Sequence, residues 1–187
     1  MAEKFLLPMP PLTYRDYCEL PDDGTRYEII EGELFMTPSP SYTHQKVSRN
    51  IQFILMKYLE IKKTGEILSA PFDVILEDTT VVQPDLIYIS SLHRDRLTEK
   101  GITGPPDLIV EILSPSTSSR DRILKNRNYV KLGVPWYWIV DPSEKKIDEF
   151  HLEDGLYCCI ESAMGEGIFK SNLFSDLSVE LKDVWSL

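Results

Sequence analysis

Three residues in the middle of the chain have types and spacing that could do chemistry: Asp85, Glu111 and Lys125. Asp85 opens the run DLIYI within VVQPDLIYI, and Glu111 lies inside PPDLIVEILSPS. Both acids sit at or in strand-like segments that are otherwise almost wholly apolar. An ionised carboxylate costs several kcal/mol to bury unless a cation or hydrogen bonds compensate it. On a β-strand alternate residues share a face, so Asp107, Ile109, Glu111 and Leu113 point one way and Leu108, Val110 and Ile112 the other. Glu111 therefore interrupts an apolar face near the strand's C-terminal end, where ligand sites of α/β sheets gather. A divalent metal with a nearby lysine would turn such a pair of acids into a hydrolytic site. The plainer reading is a glutamate paired with an arginine, and an Asp85 that is solvated at a strand start behind Pro84.

Lys125 shares a helical face with Asp121, Asn128, Tyr129 and Leu132, while Arg120, Arg127 and Lys131 cluster opposite. Two readings follow: an inward lysine facing the sheet that carries Glu111, or a surface Asp121–Lys125 pair of negligible energetic value. His44 lies on the same stripe as Val47, Ile51 and Leu55 and reads as an inward, hydrogen-bonded histidine. Gln83, two residues before Asp85, could line the same strand face. Ser114, Ser116 and Thr117 read as turn and cap residues, and no G-x-S-x-G elbow supports a serine nucleophile. Trp136, Tyr137 and Trp138 could stack bases but fit a core strand better. His93 and His151 suggest no chemistry.

The elements that must position these residues follow from periodicity and turn chemistry. A short helix is expected over TYRDYCEL from Thr13, stopped by Pro21 and the turn at 22–24. Residues 27–30 and 33–36 flank Glu31-Gly32 and predict a hairpin that contains Glu28. The clearest helix is 41–63, capped by Ser41 or Thr43 and ended by Gly65. Strands are expected at 66–70, 72–76, 85–89 and 108–113. A second helix then runs to about Leu132, and 136–140 (WYWIV) is an apolar strand. A final hairpin pairs 146–151 with 156–160. The architecture is mixed α/β (α+β): a twisted mixed sheet, few helices, and one strand–helix–strand crossover from Leu108 to Val140.

Composition bounds the function. The chain has 187 residues, 42% hydrophobic and 27% charged, which suits a single domain over 1–187 with residues 1–11 as an N-terminal arm. No apolar run approaches the roughly 18 residues of a membrane span, so the expectation is a cytoplasmic protein without a membrane partner. The three cysteines, Cys18, Cys158 and Cys159, have no C-x-x-C spacing and read as core or boundary thiols. Twenty basic against thirty acidic residues give a net charge of −10. That sign counts against tight, indiscriminate DNA binding. It leaves room for a local basic patch from Arg120, Arg122, Lys125, Arg127 and Lys131.

The runs RYEIIEGELF, SPSYTH, VVQPDLIYIS and PPDLIVEILSPSTSSRDRILKNRNYVKLGVPWYWIVDP together resemble one family, from Leu12 to about Phe150. It is the Uma-type group, named for restriction endonucleases and long catalogued as a domain of unknown function, in the PD-(D/E)XK nuclease superfamily. The resemblance implies a restriction-endonuclease-like core and metal-dependent cleavage of phosphodiester bonds in nucleic acid, DNA in the first instance. It places the superfamily's two acids on Asp85 and Glu111, holding Mg²⁺ (or Mn²⁺) with the main-chain carbonyl of Ile112. The superfamily lysine usually stands two residues after the second acid, where this chain has Leu113. The resemblance moves that role to Lys125 on the following helix. It also nominates Glu28 as a second metal ligand or base, against a plainer reading as a solvated hairpin acid paired with Arg26 or Lys46. A homodimer is implied, because two-fold symmetry lets one chain cut each strand of a duplex. The competing expectation is a catalytically degenerate nucleic-acid-binding or assembly module, favoured by the acidic charge and the broken E-x-K. A hydrolase of small phosphorylated substrates would lack a phosphate-cradling glycine loop.

Overall fold

A computed structural model describes residues 11–114 and 120–186, with the backbone alone described for 120–122. The N-terminal arm before Pro11, the turn residues Ser116 and Thr117, and the side chains of Arg120, Asp121 and Arg122 lie outside what is described. In chain order the first half comprises α1 (Tyr14–Tyr17), β1 (Arg26–Ile30), β2 (Glu33–Thr37), α2 (Tyr42–Lys62), β3 (Gly65–Ser69), β4 (Asp73–Glu77), β5 (Thr80–Val82) and β6 (Leu86–Ser90). The second half comprises β7 (Leu97–Thr98), β8 (Gly101–Thr103), β9 (Leu108–Ile112), α3 (Asn126–Lys131), β10 (Trp136–Asp141), β11 (Lys146–Glu153), β12 (Leu156–Met164), β13 (Ile168–Lys170), β14 (Ser178–Glu180) and α4 (Leu181–Trp185). A 3₁₀ segment, Ser91–Arg96, follows β6, and a π-helical turn, Arg120–Lys125, leads into α3.

The strands form two six-stranded sheets, β2-β1-β5-β4-β8-β7 and β12-β11-β10-β9-β6-β3, and the small pair β13-β14. In the second sheet β9 and β10 are parallel, joined by the crossover through α3, and the other neighbours are antiparallel. Alternation along β9 sorts its residues between two cores. Leu108, Val110 and Ile112 pack with Val47, Ile51, Leu55 and Leu59 of α2 and with the C-terminal segment. Ile109 and Leu113 pack on the opposite face with Ile30, Val74, Val82 and Ile102 of the first sheet, and with Tyr129 of α3. Glu111 shares that second face, between the two sheets.

Several boundaries differ from the sequence expectations, for local reasons. The first helix is a single turn, Tyr14–Tyr17, and the last hairpin is longer than expected, running to Glu153 and Met164. Helix α2 is capped by Ser41, whose hydroxyl accepts from the His44 N–H. It is ended by Lys63 in the left-handed region at φ 55°, not by Gly65. Gly65 instead opens β3, where a Cβ would clash with the Ile89 carbonyl and the Tyr88 ring. Strands β5, β7, β8, β13 and β14 are too short to carry a periodic signal. The expected second helix begins as a π-helical turn, and only Asn126–Lys131 is α-helical. All three cysteines are exposed rather than core thiols. Trp138 and Tyr137 are core residues, while Trp136 is half-buried and packs on His151 with ring centres 4.2 Å apart.

The second core fixes the backbone that presents Glu111, so truncating it should be felt globally. Ile109→Ala, at a fully buried position, should lower unfolding free energy by about 2–5 kcal/mol. Urea denaturation checks this, and a loss below about 1 kcal/mol would mean that this face is not close-packed.

Candidate functional site

Glu111 reaches the space between the sheets from β9, and Glu28 reaches it from β1 of the facing sheet. Both are nearly inaccessible, at 3% and 1% exposure. Between them lies Lys125, at the end of the π-helical turn and 3% exposed. Its Nζ donates to Glu111 Oε1 at 2.8 Å and to Glu28 Oε1 at 2.9 Å. Lys125 is thus an inward lysine, and glutamates of two sheets are its partners among the described residues. Glu111 is paired with this lysine.

Tyr129, one helical turn beyond Lys125, donates its hydroxyl to Glu111 Oε1 at 2.7 Å. Burial, then the negative charge of Glu111, pushes this phenol well above its ordinary pKa, so it stays a proton-bearing donor. The sequence reading placed Tyr129 on the Lys125 face without giving it a role. The i,i+4 spacing from a buried lysine is the signal that could have found it.

Asp85 precedes β6 and is 7% exposed, so it is not the solvated strand-start acid expected beside Pro84. The antiparallel pairing of β6 with β9 carries it to the end of β9 that bears Glu111. There its Oδ2 accepts from the Ile112 N–H at 2.8 Å and contacts His44 Nε2 at 3.0 Å. His44, 9% exposed, is therefore an inward histidine held by a carboxylate, as its stripe on α2 predicts.

Glu28 is the largest departure from the local reading. Neither Arg26 nor Lys46 is its partner in the observed contacts. It accepts from Lys125 and from the Gln83 N–H at 3.0 Å, with Thr37 Oγ1 at 3.4 Å from its other oxygen. Gln83 faces β1 and α1 instead of lining the Asp85 face. Its side-chain amide donates to Tyr17 Oη and Asp73 Oδ1, and its carbonyl groups accept from Arg26. Of the basic patch expected from Arg120, Arg122, Lys125, Arg127 and Lys131, the last three have described side chains, and each is engaged. Lys125 is buried, Arg127 pairs with Glu31 and Lys131 with Glu77. Leu113, at the usual lysine position, is a core residue.

The donor set suits a hard cation. Two buried carboxylates, Glu28 and Glu111, share one buried ammonium, and the buried Asp85 lies at the same end of β9, so hard oxygen donors of the kind a divalent ion takes are gathered there. Among the described residues no three His, Cys, Asp or Glu side chains form a closed metal cage. Magnesium does not need one: it is commonly held by one or two carboxylates, keeps several waters and accepts substrate phosphate. Asp85 and Glu111, with the Ile112 carbonyl, fit that chemistry.

Residues 14–182 match the sequence model of the family described as Uma2, putative restriction endonuclease. The chain belongs to the Uma2 family. An uncharacterized protein of Synechocystis sp. is 26% identical over 149 residues, covering 79% of this chain and 77% of that one. A crystal structure of a protein from Anabaena variabilis, described as a putative nuclease belonging to DUF820, superposes with a TM-score of 0.75. It is 20% identical, with 94% of this chain and 98% of that chain covered, and it shows the fold. The Uma2 chain is thus a mixed α+β protein with a restriction-endonuclease-like core, and its family supports a nuclease-like function. No helix among the described residues is long and apolar enough to cross a membrane.

The central ion pairs should be energetically visible. Lys125→Met leaves Glu28 and Glu111 buried without their shared ammonium and should cost about 3–5 kcal/mol of stability. Adding Glu28→Gln to that variant should recover part of the loss, because the two sites are coupled. Urea unfolding of the single and double variants measures this. Strict additivity would show that Lys125 does not couple to Glu28.

Proposed function

We propose that this Uma2 protein is a Mg²⁺-dependent endonuclease that hydrolyses phosphodiester bonds in DNA, with Mn²⁺ as an alternative ion. The observation that carries the reading is the convergence of Asp85, Glu111 and Lys125 at one end of β9, each held by at least one further hydrogen bond. Asp85, Glu111 and the Ile112 carbonyl would hold the ion. When bound, it would lower the pKa of a water and polarise a phosphoryl oxygen.

The chain's own residues have separable roles. Asp85 is fixed through Oδ2 by the Ile112 N–H and His44, which orients its carboxylate toward the end of β9. Tyr129 and Lys125 fix Glu111 from the other side through Oε1. Lys125 would orient the attacking water or stabilise charge developing on the phosphate, in a site where preorganised cations act strongly. Glu28 holds the ammonium in place, a positioning role that accounts for its burial better than direct attack on a substrate does. A lysine pinned by two carboxylates keeps its charge and loses its rotameric freedom, and both effects favour electrostatic catalysis. A two-fold dimer acting in the cytoplasm would bring one such site to each strand of a duplex.

Asp85→Asn and Glu111→Gln are expected to abolish Mn²⁺ binding by calorimetry and to reduce cleavage of supercoiled DNA at least about hundredfold. Circular dichroism should show an intact fold. Cleavage at wild-type rate by either variant would remove these residues from the mechanism. Metal binding and cleavage both absent from the wild type would favour the degenerate, non-catalytic reading.

A further inference from the structure

A cleft of about 200 Å³ opens beside Asp85. One wall is a stripe of α2: Gln45, Ser48, Arg49 and Gln52, at the spacing that places side chains on one helical face. Arg26 of β1 contributes from across the cleft, and His44 and Asp85 border it. The lining holds two guanidinium groups and a single carboxylate, in a chain whose net charge is −10.

The two arginines are unlike others in the chain. Arg15, Arg94 and Arg127 are each ion-paired to a glutamate. Arg49 is exposed and, among the described residues, donates only to the side-chain amide oxygen of its neighbour Asn50, at 3.3 and 3.2 Å. Arg26 donates to the backbone and side-chain carbonyls of Gln83, at 2.6 and 3.3 Å. Among the described residues no carboxylate forms an ion pair with either group, so both remain available to an incoming anion. Beside them, His44 Nδ1 is buried and has no hydrogen-bond partner.

The guanidinium fork matches a phosphate in geometry and charge, and glutamine and serine add neutral donors. From Gln45 to Gln52 the helix axis advances about 10 Å. That length is enough to reach two neighbouring phosphates of one strand. The dimensions suit a polymer rather than a single small anion.

We propose that this cleft is a backbone-anchoring subsite, in which Arg49 and Arg26 hold phosphodiesters adjacent to the one presented to Asp85 and Glu111. The contacts go to phosphate, so the subsite contributes register and affinity without reading base sequence. This inference rests on the nuclease reading for its choice of substrate, but its test does not depend on cleavage.

Fluorescence anisotropy with labelled duplex DNA, single-stranded DNA and RNA of one sequence, with Ca²⁺ in place of Mg²⁺, decides it. Arg49→Gln changes an exposed residue and should weaken binding about tenfold at low salt. It should also reduce the slope of log affinity against log salt by about one. Gln52→Lys adds a charge to the same stripe and should tighten binding and steepen the slope by about one. Comparing the three probes identifies which backbone the cleft accepts. Unchanged affinity and slope in both variants would overturn the subsite, as would failure of the wild type to bind all three probes. If Arg49→Gln binds normally while cleavage still depends on Asp85 and Glu111, the subsite falls and the nuclease reading stands. If both charge variants behave as expected but nothing is cleaved, the reverse holds.

Discussion

The ammonium of Lys125, held between Glu28 and Glu111, is the contact on which the rest of the arrangement depends. One carboxylate belongs to the first sheet and the other to the second, and the lysine arrives on the crossover between two strands of the latter. All three groups are almost entirely removed from water, so each would be costly without the others. Yet buried ion pairs are often replaceable by apolar residues of similar volume at no loss of stability. Stability alone therefore does not explain why charged groups occupy the junction of two apolar cores. The proposed site, which needs fixed charges at the end of β9, would explain it.

The pattern in the sequence made the scaffold legible where periodicity is long. Helix α2 follows from Val47, Ile51 and Leu55 at helical spacing, and β9 from an apolar run broken only by Glu111. The candidate site was legible only in part. The inward lysine and the odd glutamate could be read from faces of a helix and a strand, and the Uma-type motifs tied them together. Burial of Asp85 could not be read locally, because it results from the antiparallel register that lays the start of β6 against Ile112. Glu28 was harder still. Nearby Arg26 and Lys46 offer plausible partners, whereas the observed ion pair is with Lys125, 97 residues away in the chain. The short strands of the first sheet pair through tertiary contacts that no local window contains.

The charge distribution is compatible with the proposed anionic substrate despite an acidic chain. Basic residues on α3 are largely spent on Glu31 and Glu77, so the helix opposite the site adds little positive potential. What attracts a phosphate backbone must then be local, and local charge acts strongly only within about a Debye length of 8–10 Å. An acidic surface elsewhere disfavours loose binding to any nucleic acid. In the proposed nuclease, binding would thereby depend on contacts close to Asp85 and Glu111.

Moving the lysine from the strand to the helix changes what controls it. At position 113 a lysine would share the face of Glu111 and be positioned by the strand itself. Leu113 instead completes the core between the sheets, which removes a charge from a place where it would need its own compensation. Lys125 reaches Glu111 from the crossover, so its position depends on the packing of the π-helical turn and α3. Tyr129 supplies that control: its ring is wholly buried against Tyr137, with centres 5.3 Å apart, and its hydroxyl is bonded to the same oxygen as Lys125. The phenol is kept protonated by its burial and by Glu111, so it acts as a neutral donor that adds no charge to the cluster. A strand-borne lysine needs only the sheet, whereas a helix-borne one needs a lock, and Tyr129 and Glu28 together provide it.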